Sequence, residues 1–281
     1  MDAAERRWLE DCPDAVTLTD REGRITYVNA ACERLTGYAR EELVGATPAV
    51  LKSGSHEADF YRALWRELLA GREFRAVFVN RRKSGELYYE DKILRAADGG
   101  FVSFGRDVTE RAQELEKLAH AATHDSLTGL PNRALFLDRL DQALRHAVRR
   151  DEPLTLALLD LDDFRATNNR HGHLAGDAVL QAVAERTAGC LREADTVARI
   201  GGDEFAILLP GTGAAAAAGV LAKVVAANAA PVAFDGVAIP MSVSVGACGY
   251  PEAGDHARAL RAGADRRMYE AKRAGGNRYV L

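Results

Sequence analysis

The stretch Arg199-Ile200-Gly201-Gly202-Asp203-Glu204-Phe205 constrains this chain more than any other. It lies between two short apolar runs, Thr196–Ile200 and Phe205–Leu209, each rich in strand-forming residues. The glycine pair between them predicts a hairpin turn. A turn without side chains lets the backbone approach a ligand closely. Asp203 and Glu204 follow at once, at the predicted start of the return strand. Neighbouring strand residues face opposite ways, so the two acids are expected to do different jobs. One holds a cation in a site; the other supports it from behind or reaches a second ion.

The flanking sequence predicts the sheet that carries this hairpin. His124–Arg133 leads into a helix from Arg133 to about Arg149, and Leu154–Leu159 reads as a buried strand. That strand ends in Asp160-Leu161-Asp162-Asp163-Phe164. An acid at the end of a buried strand is costly to desolvate unless a cation pairs with it, which makes Asp160 a metal-ligand candidate. Asp162 and Asp163 read as helix N-caps. Asn168–Asp177, with Gly172 and Gly176, reads as a polar loop feeding a helix from about Ala178 to Leu191. Its composition says only "loop", with His171 and His173 on the surface. After the hairpin come an alanine-rich helix, a strand over Ala238–Gly246, a helix over Leu260–Lys272 and a strand near Asn277–Val280. This order suits a mixed, mainly antiparallel sheet of ferredoxin-like type.

These runs resemble the GGDEF family, the diguanylate cyclases, over roughly His124 to Arg278. The resemblance implies a fold similar to nucleotidyl cyclases and polymerase palms, where strand-end acids hold metal ions on triphosphates. It implies Mg²⁺, or Mn²⁺, on Asp160 and Asp203, supported by the Leu161 carbonyl and Glu204. Asp203 or Glu204 would help remove the proton of an attacking 3′-hydroxyl, in a reaction that joins two GTP into cyclic di-GMP and releases two pyrophosphates. Asn168 and Asp177 would read guanine, with His173 nearby, because an amide and a carboxylate complement its edge. Lys272 and Arg165 would contact phosphates, Arg165 standing where the family usually has lysine. Gly276 stands where the family usually has arginine, and Asn169 where it has aspartate. Arg192-Glu-Ala-Asp195 precedes the glycine pair at the spacing of the family's inhibitory site for cyclic di-GMP; the same pattern occurs as an ordinary surface ion pair.

At 281 residues the chain is comfortable for two domains. A net charge of −4 gives no general reason to expect nucleic-acid binding. Cys12, Cys32, Cys190 and Cys248 lack metal-ligand or redox spacing, as expected of reduced thiols in a cytoplasmic protein. The charged N-terminus, Met1 to Trp8, does not read as a signal peptide. Ala214–Phe234 is alanine-rich, holds Lys223 and ends near Pro231, so it is expected to pack as a helix on the sheet and not to enter a membrane. No phosphodiesterase region is expected after the last motif.

The first hundred residues have a different rhythm. Asp14–Thr19 and Arg24–Val28 read as strands, Asn29–Leu35 as a helix and His56–Leu69 as a longer amphipathic helix. Three strands follow, Phe74–Asn80, Glu86–Leu94 and Phe101–Arg106, with turns at Lys83-Ser84-Gly85 and Asp98-Gly99-Gly100. The runs Asp20–Asn29, Asn80–Tyr88 and Gly105–Glu110 resemble a PAS sensor domain with its trailing PAC segment. The fold class expected is therefore α+β: a five-stranded antiparallel PAS sheet with helices, a helical linker and a GGDEF sandwich. The domains expected are 10–108, 109–123 and 124–281. A PAS domain implies a pocket for haem, flavin or a small metabolite, or one filled by side chains. His56 is the haem-ligand candidate, against the plainer role of a helix-start residue. Asn29 and Asn80 are flavin candidates, against turn and edge roles, and Cys32 reads as core filler.

Thr109 can cap a helix through Asp107–His120. Val108, Ala112, Leu115, Ala119 and Ala122 alternate spacings of four and three, as in a coiled coil. A homodimer through this linker and the PAS domain would let two GTP-loaded domains face each other. The competing readings are a catalytically dead domain that binds GTP or cyclic di-GMP, and a dimeric scaffold acting through protein contacts alone.

Overall fold

A computed structural model of the chain describes residues 3–97 and 99–281. Asp98, part of the turn expected from the sequence, and the terminal Met1 and Asp2 lie outside the described residues. The chain forms two compact units, one up to Lys117 and one from Leu118.

The first unit runs α1 (Ala3–Glu10), β1 (Ala15–Asp20), β2 (Ile25–Val28), α2 (Ala30–Thr36), α3 (Arg40–Leu43), a 3₁₀ turn at Pro48–Leu51 and α4 (Ala58–Leu69). It continues with β3 (Phe74–Arg81), β4 (Leu87–Ala97) and β5 (Gly100–Asp107). The strands form one antiparallel sheet in the order β2-β1-β5-β4-β3, the five-stranded α+β arrangement expected. Asn29 caps α2, and its buried amide also bonds the backbone of Leu9, Cys12, Asp14 and Val16. Those bonds use up the side chain, which corrects its reading as a flavin contact. His56 Nε2 accepts the Val79 N–H at 2.8 Å while the ring stacks on Phe60. With that lone pair spent inside the protein, and the ring outside the unit's cavity, His56 is not set to ligate haem there.

Helix α5 (Thr109–Thr123) follows. Thr109 does not cap it: its hydroxyl accepts the Tyr89 N–H, while Asp107 accepts the Thr109 N–H. Leu115 and Leu118 on α5 are mostly exposed.

The second unit comprises α6 (Arg133–Arg150), β6 (Leu154–Leu161), α7 (Phe164–His171), α8 (His173–Gly189), β7 (Thr196–Gly201) and β8 (Glu204–Pro210). It then runs α9 (Ala214–Asn228), β9 (Val232–Phe234), β10 (Val237–Ile239), β11 (Val243–Tyr250), α10 (Ala257–Arg273) and β12 (Arg278–Val280). The main sheet has the order β12-β11-β6-β8-β7, antiparallel except where β12 pairs with β11. All of β6 is buried, because helices cover both faces of the sheet. On one face α8 and α9 contribute Val179, Val183, Leu221 and Val224; on the other α6 and α10 contribute Phe136, Leu140, Leu260 and Ala264. The continuous apolar run of this strand reflects that two-sided burial.

Two local expectations change. Asn168–Asp177 is helical on either side of Gly172, whose φ of 86° breaks the chain between α7 and α8. Polar residues fit there because α7 buries none of its side chains, so composition signalled the exposure and not the backbone. The strand expected over Ala238–Gly246 is two strands, since Pro240 lacks the N–H that a ladder needs. β10 instead pairs with β9 in a separate ribbon. Among the described residues no helix is long and apolar enough to cross a membrane.

Candidate active site

The central strand delivers Asp160 to the sheet edge. Register places Asp160 directly opposite Glu204 on β8, so the two share a face of the sheet. The hairpin turn is Gly202-Asp203, with Gly201 still paired on β7. Asp203 therefore sits in the turn and not on the return strand. Its carbonyl accepts the Leu161 N–H at 3.4 Å, joining the turn to the end of β6.

Lys272 of α10 reaches the same place, its Nζ lying 2.5 Å from Asp160 Oδ1. The ammonium is the counter-charge of Asp160 Oδ1, a buried oxygen that takes no other hydrogen bond among the described residues. Burial pushes the Asp160 pKa up; Lys272 opposes this, and the Asp203 and Glu204 charges reinforce it. The site thus sets the Asp160, Asp203 and Glu204 carboxylates against the Lys272 ammonium, an excess of negative charge that a further cation would offset. Among the described residues no three His, Cys, Asp or Glu side chains stand close enough to hold a metal by themselves. The donor set nevertheless fits a hard ion that takes few carboxylates and fills its shell with phosphate oxygens.

Asp162 is not a helix cap. Its carboxylate accepts Ser242 Oγ and Ser244 Oγ, both at 2.6 Å, and the Asn277 N–H at 2.9 Å. It ties β11 and the C-terminal segment to the end of β6. Gly276 lies against it: a Cβ there would stand 2.7 Å from Asp162 Oδ2, and its φ is 71°. The glycine is thus a packing requirement of this chain. Asp163 caps α7 by position, without a side-chain hydrogen bond.

The α7–α8 pair brings Asn168 against Gly176, the residue before Asp177; a Cβ at Gly176 would lie 1.9 Å from Asn168 Oδ1. His173 and Arg165 are exposed at the start of α8 and on α7. Arg192 and Asp195 lie elsewhere, at the other end of β7. Arg192 Nε bonds Asp195 Oδ1 at 3.0 Å, and Nη2 bonds the Pro210 carbonyl and Thr212 Oγ1. One strand length, roughly 17–20 Å, separates them from the hairpin turn.

Arg199 and Asp125 form a support for the turn to which the sequence pattern assigns no role. Arg199 donates through Nε and Nη2 to the Gly202 carbonyl, and through Nη1 to both Asp125 oxygens at 3.1 and 3.2 Å. Asp125 also accepts the Thr128 N–H and hydroxyl. Burial pushes its pKa up, but the Thr128 bonds and the Arg199 charge outweigh this and hold it below the usual carboxylate range. A guanidinium at the end of an otherwise apolar strand was the available signal.

Comparison with known proteins agrees with this architecture. A family model described as the diguanylate cyclase GGDEF domain matches residues 122–278, and one described as the PAS fold matches residues 5–108. Diguanylate cyclase TpbB of Pseudomonas aeruginosa is 42% identical over 204 residues, which cover 68% of this chain and 47% of that protein. The chain thus spans about half the length of this curated relative. The crystallised GGDEF domain of the same organism's YfiN (TpbB) is 44% identical at a TM-score of 0.54, covering 55% of this chain and 97% of that one. The coiled coil and GGDEF domain of DgcB from Caulobacter crescentus, solved with c-di-GMP, is 32% identical at a TM-score of 0.55, covering 61% and 92%. With the strand-end acids, the hairpin and more than half of the chain matched, this protein belongs to the GGDEF-domain family of diguanylate cyclases, its GGDEF domain preceded by a PAS fold.

Proposed function

We propose that the chain is a diguanylate cyclase that condenses two GTP into cyclic di-GMP and two pyrophosphates under control of its PAS domain. The observation that carries the reading is the buried Asp160 carboxylate at the end of β6, paired with Lys272, opposite Glu204 and joined to the Gly202-Asp203 turn. Asp160 and Asp203 would hold Mg²⁺ or Mn²⁺, with the Leu161 carbonyl and Glu204 in support and phosphate oxygens completing the shell; the ion would offset triphosphate charge and align the attacking and leaving oxygens. Lys272 and Arg165 contact the phosphates as cations. Asn168 and Asp177 read the guanine edge, with His173 beside them.

In each of two equivalent steps a 3′-oxygen bonds to the α-phosphorus of the other GTP. The bond to the β-phosphate breaks, pyrophosphate leaves, and the hydroxyl proton passes to an Asp203 or Glu204 carboxylate oxygen. Because one domain holds one GTP, the working form is a homodimer through the PAS domain and α5. Cyclic di-GMP gripped by Arg192 and Asp195 supplies product inhibition. Free GTP as substrate and four free thiols suit a cytoplasmic setting. The test incubates the purified chain with GTP and Mg²⁺ and follows cyclic di-GMP by chromatography. Formation of cyclic di-GMP supports the reading. Binding of GTP without product would make the protein a receptor, and neither binding nor product would leave a scaffold.

A further inference from the structure

We propose that the cavity inside the first unit binds a small apolar monocarboxylate, with Lys92 as the partner of the carboxylate; this rests on reading that unit as the sensory domain. The cavity measures about 320 Å³ and is walled mainly by apolar side chains, among them Leu64, Leu68, Phe78 and Phe101. Its polar end carries Lys92, Asn80 and Ser103.

Lys92 is 8% exposed, an environment that requires a counter-ion. It has one: its Nζ lies 3.1 Å from Glu90 Oε2, which also accepts Asn80 Nδ2 at 3.1 Å. Glu90 is 2% exposed and does not line the cavity. It is packed on Gly105, where a Cβ would stand 1.7 Å from Glu90 Oε1. The acid is therefore held behind the wall while Lys92 borders the space. An ammonium has three N–H donors, and Glu90 is the one acidic group paired with it among the described residues. The Lys92 Nζ also lies 5.7 Å from the centre of the Phe78 ring. An acceptor entering from the cavity side completes this shell, and an anion does so more strongly than a neutral group.

The other charged lining residues, Glu22 and Lys52, are exposed, and Lys52 sits 3.8 Å over the Tyr61 ring. The interior thus offers one charged end and apolar walls, which selects a monocarboxylate over a diacid. The volume is at the small end for ligand sites and suits one aromatic ring or a chain of roughly eight carbons.

Calorimetric titration of the full chain with octanoate and with 1-octanol tests the assignment. Octanoate is expected to bind at least about tenfold more tightly than octanol, the increment of one charged hydrogen bond. Lys92→Met alone strands the buried Glu90 charge, so the informative variant is the pair Lys92→Met with Glu90→Gln. It should lose the preference for octanoate and keep octanol binding. Should the pair not fold, Glu90→Gln alone, which removes the resident counter-ion, should tighten octanoate. Equal affinities in the wild type, octanoate affinity unchanged in the pair, or no binding of either ligand would overturn the proposal. Octanoate binding that leaves cyclic di-GMP production unchanged supports the site and overturns its sensory coupling instead.

Discussion

At Asp160 desolvation works against the charge that the site needs. Burial raises its pKa above the ordinary carboxylate value, with Lys272 opposing the rise. A carboxyl shifted up on folding contributes stability below its unfolded value and loses it as pH rises through the folded one. At neutral pH the ionised side chain is therefore destabilising. Asp160→Asn is expected to raise the melting temperature at pH 7, with the gain shrinking below about pH 4, while cyclic di-GMP formation drops on the order of a hundredfold. Thermal melts at both pH values beside a GTP turnover assay check this; a lower melting temperature at pH 7 would mean that the Lys272 pairing outweighs burial. Gly276 makes the opposite case, a family departure that packing explains. Gly276→Arg is expected not to gain activity, because the new Cβ meets Asp162 at a left-handed backbone. The conformational term alone costs about 1–2 kcal/mol, readable as a fall in melting temperature.

Among the elements, the hairpin is held from outside itself. Its turn carbonyl at Gly202 is fixed by Arg199, and Arg199 by Asp125 in the loop before α6. Arg199→Met keeps the apolar stem and removes three hydrogen-bonding nitrogens. It is expected to destabilise the protein by about 1–3 kcal/mol and to lower kcat more than it raises the KM for GTP, since the bonds of Arg199 go to the turn carbonyl and to Asp125. Chemical denaturation and steady-state kinetics separate the two effects. Asp125 has its pKa lowered on folding, so its contribution is present above the unfolded value and lost as pH falls through the folded one. The Asp125–Arg199 tie should accordingly fail only in acid, below about pH 4.

Leu115 and Leu118 on α5 are 58% and 60% exposed, so this helix leaves two large apolar side chains without cover in a single chain. If α5 pairs two copies, Leu115→Asp should shift the mass in solution from dimer to monomer and abolish cyclic di-GMP formation together, as light scattering and turnover would show. Arg192 is tied to Asp195, Pro210 and Thr212, far from the hairpin turn. Arg192→Ala is expected to relieve inhibition by added cyclic di-GMP while leaving the initial rate unchanged; undiminished inhibition would remove this site from the account.

The central strand, the glycine hairpin and the five-stranded first sheet were legible because their signals are local: unbroken apolar runs, turn residues and side-chain periodicity. Asn168–Asp177 was misread because composition reports exposure, whereas the backbone follows from α8 burying Val179 and Val183 in the core. Neighbours along the chain are enough to mark the buried strand β6, the two hairpin strands and the acids that end β6, because those signals are local. Tertiary structure alone decided that Lys272 meets Asp160, that Asp162 fastens the C-terminal segment and that Arg199 braces the turn. Each of those contacts joins residues brought together by sheet order or by the folded hairpin, and no local pattern encodes which partners such a fold will bring within a few ångströms.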